Sequence, residues 1–222
     1  MVVPRNEAVP PHRGAGARHQ RIIAPDGEPE MEPIATVMRD VDREVELRDG
    51  ARVRIRPIHP EDAPRLIELY DRLSRDTRYH RFFTVMRRLP PDWAKFLAAV
   101  DYRTRFALVV EHPAVSGGAA GPAALIGVAR YEPTGEPGVA EVAFVVEDGW
   151  QGRGIGTILL PDLLRAAAAN GIVTFRAWVL ADNRRMLDML VRFTDIVERR
   201  LEQGVVELRF RRAPADVSGR TR

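Results

Sequence analysis

The sequence of 222 residues contains no cysteine, which excludes a disulfide framework, a thiolate metal site and a cysteine nucleophile. It also lacks a long hydrophobic run. The longest uncharged stretch, residues 112–129, is interrupted by prolines and glycines such as Pro113, Gly121 and Pro122, so it cannot form a membrane span. The first 20 residues contain prolines and arginines where an export signal needs an apolar core. These absences predict a soluble, cytoplasmic protein without a membrane partner.

Lysine is almost absent, because 33 of the 34 basic residues are arginine and Lys95 is the only lysine. The formal net charge is only +3, and acidic residues are interleaved with the arginines, as in residues 61–81. Proteins that bind nucleic acids usually concentrate their basic residues in a stripe with aromatic residues between them. We therefore expect no nucleic-acid partner.

The composition predicts one folded domain between two tails. Residues 1–42 contain six prolines and few large apolar residues, so burial could not offset the entropy lost on ordering them. We expect this N-terminal extension to be disordered, and the polar residues 213–222 to form a flexible C-terminal tail. The chain as a whole is 45% hydrophobic, which is enough to build a core in the domain at residues 43–212.

The order of predicted elements indicates a mixed α/β fold, with a mostly antiparallel sheet flanked by helices. Asp49-Gly50 separates two alternating segments and predicts a hairpin. Two prolines and two glycines in residues 132–138 predict a second antiparallel connection. The predicted strands are residues 44–48, 52–58, 106–111, 125–131, 139–146, 172–180, 196–201 and 205–211, and the predicted helices begin near residues 60, 92, 154 and 183.

A glycine-rich turn after one predicted strand is the first candidate site. Gly152, Gly154 and Gly156 follow the strand at residues 139–146 and lead into a helix. In such a turn, backbone N–H groups and the positive end of the helix dipole converge on an anion, usually a phosphate. The alternative is a tight turn that needs glycine only for positive φ angles. We favour phosphate binding because the three glycines occupy every second position between a strand and a helix.

The spacing of this turn excludes two common nucleotide sites. A P-loop ends in Gly-Lys-Ser/Thr, whereas here Thr157 follows Gly156 directly. A dinucleotide fingerprint needs G-x-G-x-x-G and an acidic residue near the end of the next strand, but residues 172–180 contain no acid. The ligand should therefore be a different phosphate compound.

The segment 151–156, Gln-Gly-Arg-Gly-Ile-Gly, resembles the Q/R-x-x-G-x-G/A signature of the GNAT superfamily of N-acyltransferases. The order of predicted elements is also similar to that family's sheet, and the likeness covers nearly all of residues 43–212. Residues 54–58, 79–83 and 140–144 resemble, more narrowly, the Pat-type protein lysine acetyltransferases. The resemblance implies an enzyme that transfers an acetyl group to an amine.

Acetyl-CoA is the co-substrate that the resemblance implies, bound where two neighbouring strands of the sheet splay apart. Backbone groups on the strand would bond the pantetheine arm, and amides of the glycine turn would hold the pyrophosphate. Asn183 is similar to the family's asparagine at the start of the next helix, and Arg153, Arg184 or Arg185 would meet the 3′-phosphate. The residues assigned to acetyl-CoA are Phe144, Val145, Val146, Gln151, Gly152, Arg153, Gly154, Ile155, Gly156, Thr157 and Asn183.

Glu141 is the candidate general base. A lysine amine has a pKa near 10.4 and is almost fully protonated at pH 7, so a base must remove a proton, directly or through a water. Glu141 lies in an apolar strand ten residues before Gln151, where burial would make the carboxylate a better base. The Pat-type pattern has its proposed base at this position. The alternative is an exposed glutamate that pairs with a neighbour such as Arg130.

One position departs from the family pattern. Many GNAT enzymes have a tyrosine seven residues after the asparagine, where it protonates the leaving thiolate, and here that residue is Leu190. A thiolate with a pKa near 8.5 can leave without an acid. Leu190 also keeps open a non-catalytic acyl-CoA sensor, and a small-molecule or N-terminal amine is the alternative acceptor. No two of the five histidines have the spacing of metal ligands, so we expect no metal.

Overall fold

The computed structural model describes residues 32–84, 86–112 and 123–213. Its strands are β1 (Arg43–Glu46), β2 (Arg52–Pro57), β3 (Phe106–His112), β4 (Ala124–Pro133), β5 (Val139–Val146), β6 (Thr174–Leu180), β7 (Thr194–Glu202) and β8 (Val205–Arg212). Within these ranges the eight strands form one sheet in the order β1-β2-β3-β4-β5-β6-β8-β7. Neighbouring strands are antiparallel except β5 and β6, which are parallel. The predicted mixed, mostly antiparallel α/β architecture is confirmed.

Helices flank this sheet on both faces. In the described part of the chain they are α1 (Ile34–Val41), α2 (Ala63–Arg72), α3 (Arg75–Phe82), α4 (Pro91–Ala98), α5 (Ile155–Ala169) and α6 (Arg184–Phe193). The four predicted helices correspond to α2, α4, α5 and α6, and a 3₁₀ turn at Pro60–Asp62 precedes α2. None of the helices in these ranges is both long enough and apolar enough to cross a membrane.

Two apolar cores lie on opposite faces of the sheet. β3 contributes to both, because successive side chains of a strand point to opposite faces. Phe106 and Leu108 pack with residues of α1 and α5, whereas Ala107 and Val109 pack with residues of α2 and α4. Each large apolar side chain buried in this way contributes about 1.5–3 kcal/mol. Burial on both faces therefore fixes the central strands, which carry the site described below.

The prediction of disorder over residues 1–42 is wrong for α1. Apolar residues recur there at helical spacing, and Val37 and Val41 are fully buried in the core that α5 covers. Packing against the sheet supplies the stability that an isolated helix of eight residues lacks. Residues 1–31 and 214–222 of the predicted tails lie outside the described residues.

α3 was not predicted, because its sequence is mostly polar. The helix begins after Ser74, whose side chain caps it by accepting a hydrogen bond from the backbone N–H of Thr77 at 3.1 Å. Arg81 and Phe82 are its buried residues. The helix contacts β5, and this position gives it a role in the site.

Candidate active site

β5 and β6 separate after three paired residues and leave a cleft. The paired residues run from Val139 opposite Thr174 to Glu141 opposite Arg176. Beyond them β5 continues its pairing with β4, but the edge of β5 that faces β6 has no strand partner. A cavity of about 470 Å³ occupies this gap. Its walls include the predicted pantetheine-binding residues Phe144, Val145 and Val146, together with Ala177, Trp178 and Val179 of β6.

The glycine turn forms one end of the cavity, and two of its glycines are needed for their backbone conformation, while the third packs closely against a methionine. Gly152 and Gly154 have φ angles of 78° and 96°, which residues with a side chain rarely adopt. A Cβ at Gly156 would lie 2.8 Å from the Sδ atom of Met189. The first N–H groups of α5, those of Ile155, Gly156 and Thr157, have no acceptor within the helix. These three residues line the cavity, so an anion there would meet both the free N–H groups and the helix dipole.

Hydrogen bonds attach this turn to α3 and β5. Gln151 Nε2 donates to the Val146 carbonyl at 3.0 Å and to Thr77 Oγ1 at 3.1 Å. The Asp148 carboxylate accepts from Ser74 N at 2.8 Å, from Ser74 Oγ at 2.6 Å and from Thr77 Oγ1 at 2.7 Å. Burial by itself would raise the pKa of Asp148, but the hydrogen bonds from Ser74 and Thr77 outweigh it and lower that pKa. The turn is thus held in place by charge-assisted bonds.

The three arginines that the resemblance offers for the 3′-phosphate lie in different surroundings near the turn. Arg153 donates to Asp49 at 2.6 Å, lies over the Trp150 ring at 4.6 Å and is not part of the cavity wall. Arg185 lines the cavity, with Nη1 3.4 Å from Gln151 Oε1, whereas Arg184 does not. Arg48, from the turn between β1 and β2, also lines the cavity, and a Cβ at Gly154 would lie 3.5 Å from its Nε. Arg48 and Arg185 are therefore the basic side chains placed to meet a phosphate.

Glu141 lies at the closed end of the cleft, where β5 and β6 come together. It is only 3% exposed, as expected for a buried carboxyl, but its surroundings are not purely apolar. Arg81 of α3 and Arg130 of β4 interact electrostatically with it. Glu141 itself is not part of the cavity wall, whereas Arg81 is. A proton leaving the cavity would therefore reach Glu141 through an intermediary.

The α6 side of the cavity contains Asn183 and Leu190. Asn183 lines the cavity and caps α6, because its Oδ1 accepts a hydrogen bond from Met186 N at 3.3 Å. Leu190 is fully buried and also lines the cavity. Among the described residues no tyrosine contributes to the cavity wall, so an acid at this position is absent there. The same part of the chain holds no cluster of three His, Asp or Glu side chains that could bind a metal ion.

Several residues of the cavity wall were not assigned to the site from the sequence. His80 lines the cavity, and its Nε2 lies 3.2 Å from Asp182 Oδ1, so the two residues connect α3 with the turn before α6. His80 and Arg81 fall inside residues 79–83, so the segment that carried the Pat-type resemblance was the available signal. Arg48 and Thr77 carried no such signal, since they reach the cavity only through the folding of distant segments.

Comparison with known proteins agrees with this geometry. The family model "Acetyltransferase (GNAT) family" matches residues 65–193. Acetyltransferase Pat from Mycolicibacterium smegmatis is 37% identical over 150 residues, which are 66% of this chain and 43% of that protein. An acetyltransferase of Pseudomonas aeruginosa is 32% identical over 144 residues, which are 64% of this chain and 74% of that one.

A solved structure shows the same similarity in three dimensions. The crystal structure of the GNAT domain of S. lividans PAT aligns with a TM-score of 0.66 and 32% identity, covering 78% of this chain and 97% of that chain. The match spans less than half of the M. smegmatis relative. The splayed strands with their glycine turn, and a family model that matches more than half of the residues, lead to one conclusion: the chain belongs to the GNAT acetyltransferase family.

Proposed function

We propose that this protein transfers the acetyl group of acetyl-CoA to the side-chain amine of a protein lysine. The observation that carries the proposal is the open cleft between β5 and β6, with the glycine turn at one end and Glu141 buried behind the wall of the other. The Pat-like segments at residues 54–58, 79–83 and 140–144 support a lysine acceptor. Similarity to relatives named Pat supports it as well.

The cleft offers acetyl-CoA three kinds of contact. N–H groups at the start of α5 can hold the pyrophosphate. The unpartnered edge of β5 beyond Glu141 can pair with the amides of the pantetheine arm, as an added strand would. Arg48 and Arg185 can neutralise the remaining phosphate charge. This arrangement directs the thioester toward the closed end of the cleft.

The reaction at that end is a direct acyl transfer. The amine nitrogen attacks the thioester carbonyl carbon, the carbon–sulfur bond breaks, and the amine loses a proton. We assign that proton to Glu141 through one bridging water, because Glu141 is buried behind the cavity wall. A backbone N–H near Val145 would stabilise the oxyanion. The thiolate leaves without an acid, consistent with Leu190 at the tyrosine position.

Two measurements on the full chain test this function. Isothermal titration should show binding of acetyl-CoA, and a thiol-release assay should show turnover with lysine-containing proteins. Absence of binding at about millimolar ligand would remove the function altogether. Transfer to free amines or to protein N-termini, but not to lysine side chains, would show that the acceptor is not lysine. The assignment as an acetyltransferase would be unchanged.

Leu190 favours a second candidate function, a non-catalytic acyl-CoA sensor, because it places an apolar side chain where many relatives have an acid. The sensor and the enzyme bind the same ligand but differ in turnover. Acetyl-CoA binding without thiol release, across a panel of proteins and amines, would support the sensor.

A further inference from the structure

A cluster of buried and half-buried charges beneath α3 contains one more cation than anion among the described residues. Its members are the guanidinium groups of Arg81, Arg105 and Arg130 and the carboxylates of Glu132 and Glu141. Glu132 accepts from Arg105 Nε at 2.6 Å and from Arg130 Nε at 2.8 Å, so one carboxylate serves two cations. In the described part of the chain, three cations against two carboxylates leave this cluster with a net charge of +1. Arg81, Arg130 and Glu141 are buried, so such an imbalance is costly at that side of the cluster, whereas Arg105 and Glu132 keep some contact with solvent.

Arg81 is the member of the cluster with an unused donor. The residue is 8% exposed, and its buried Nη1 has no hydrogen-bond acceptor within the described residues. Burial and the neighbouring Arg130 lower the pKa of Arg81 to about 10, against the opposing effect of Glu141 and Glu132. Arg81 therefore still carries its charge at neutral pH. An anion bound here would supply both the missing acceptor and the missing negative charge.

Arg81 also lies where the acyl end of a thioester would be. α3 packs along β5, and its Thr77 contacts Gln151 at the glycine turn. Arg81 follows Thr77 by one helical turn, about 6 Å further along the axis. There it lines the cavity together with Ala143, close to the point where β5 and β6 come together at Glu141. With its pyrophosphate at the glycine turn, a thioester would extend toward Arg81.

We propose that Arg81 forms a subsite for a carboxylate at the end of the acyl group, so that the protein accepts short dicarboxylic acyl-CoA thioesters such as succinyl-CoA. The inference rests on the proposed function, because it places the thioester in the cleft. A guanidinium group binds a carboxylate through two parallel hydrogen bonds, and this carboxylate would bring the cluster to neutrality. The transfer step is otherwise unchanged. The amine attacks the thioester carbonyl, the carbon–sulfur bond breaks, the amine proton passes to the base, and the amide formed carries a free carboxylate.

The test is isothermal titration of the full chain with acetyl-CoA, butyryl-CoA and succinyl-CoA. Butyryl-CoA has a methyl group where succinyl-CoA has its carboxylate. Because no amine acceptor is added, a difference in affinity between the two thioesters comes from the acyl group. We expect succinyl-CoA to bind about tenfold or more tightly than butyryl-CoA, because hydrogen bonds to charged groups are worth at least that factor. Arg81→Gln should bring the ratio to about one. Arg75→Gln, at an exposed position of the same helix, should keep the wild-type ratio.

The outcomes separate this inference from the function on which it rests. A wild-type ratio near one, with acetyl-CoA bound, overturns the carboxylate subsite and leaves acetyl transfer standing. Failure of all three thioesters to bind overturns both. The wild-type ratio decides the matter even if Arg81→Gln does not fold. An equal loss of preference in Arg75→Gln would show that the selectivity does not come from Arg81.

Discussion

At the scale of single residues, Gly154 tests whether the turn before α5 depends on a strained backbone. Its φ of 96° would cost a residue with a side chain about 1–3 kcal/mol. We expect Gly154→Ala to lower the free energy of unfolding in urea by about 1–2 kcal/mol. It should also weaken acetyl-CoA binding, because the N–H groups of α5 would shift. Gly149→Ala is the matched control, since a Cβ there meets no atom within 4 Å, and it should change stability by less than about 0.5 kcal/mol. Equal effects of the two changes would mean that the turn relaxes without strain.

Glu141 tests the assignment of the base. Glu141→Gln keeps the size of the side chain but cannot take up the proton, so we expect thiol release to fall by about 100-fold or more while acetyl-CoA binding persists. The change also removes a charge near Arg81 and Arg130, so a urea titration must accompany the assay. Glu44→Gln, at an exposed position of β1, is the control. A folded Glu141→Gln protein with the wild-type rate would show that another group acts as the base.

Site residues were predictable where the reason for them is local. Gly152 and Gly154 could be assigned because a strand, a turn and a helix N-terminus are adjacent in the chain. For Arg153 the sequence does not show that Asp49, far earlier in the chain, accepts a hydrogen bond from its guanidinium group. Arg48 reaches the cavity by the same long-range folding, so no local pattern marks it.

At the scale of elements, the strands and the longer helices followed from apolar periodicity, and the two short helices did not. α1 was not predicted because prolines surround it, although its apolar residues have helical spacing and Val37 is fully buried. α3 was not predicted because its sequence is polar and only Arg81 and Phe82 are buried against the rest of the protein. Both helices are stabilised by contacts with the sheet, which a single segment of sequence does not reveal.

The attachment of the glycine turn to α3 gives a prediction at this scale. Asp148→Ala removes three hydrogen bonds from Ser74 and Thr77, so we expect it to cost about 1–2 kcal/mol, given the partial exposure of the site, and to weaken acetyl-CoA binding. The pKa of Asp148 is lowered in the folded state, so its contribution is complete above the unfolded pKa of about 3.9 and is lost as pH falls through the folded value. Urea unfolding at about pH 7 and about pH 3 should therefore show a smaller difference from wild type at the lower pH. Asp195→Ala, at an exposed position of β7, is the control, and an undiminished difference at low pH would contradict the assigned role of the carboxylate.

At the scale of the whole molecule, the sequence predicted the class of sheet but not the way it opens. The antiparallel pairs β1–β2 and β4–β5 follow from the hairpin signals at Asp49-Gly50 and at residues 132–138, whereas the position of β8 between β6 and β7 has no such signal. The separation of β5 from β6 beyond Glu141 has no local signature and was expected only from the family resemblance. The charge cluster under α3 could not be predicted from the sequence either, because its five members come from four different parts of the chain.

Because the protein has a single lysine, acetylation of the protein itself can show whether the enzyme accepts lysine amines. Lys95 is the only lysine, and its side chain on α4 is 72% exposed, so a second copy of the enzyme can reach it. If the acceptor is a lysine amine, prolonged incubation with acetyl-CoA at high protein concentration should add one acetyl group per chain. Lys95→Arg, which preserves the positive charge, should abolish that addition without slowing transfer to other proteins. Intact-mass measurement of both proteins decides the point. An acetyl group that persists in Lys95→Arg and maps to an amine in peptide fragments would favour the alternative acceptor.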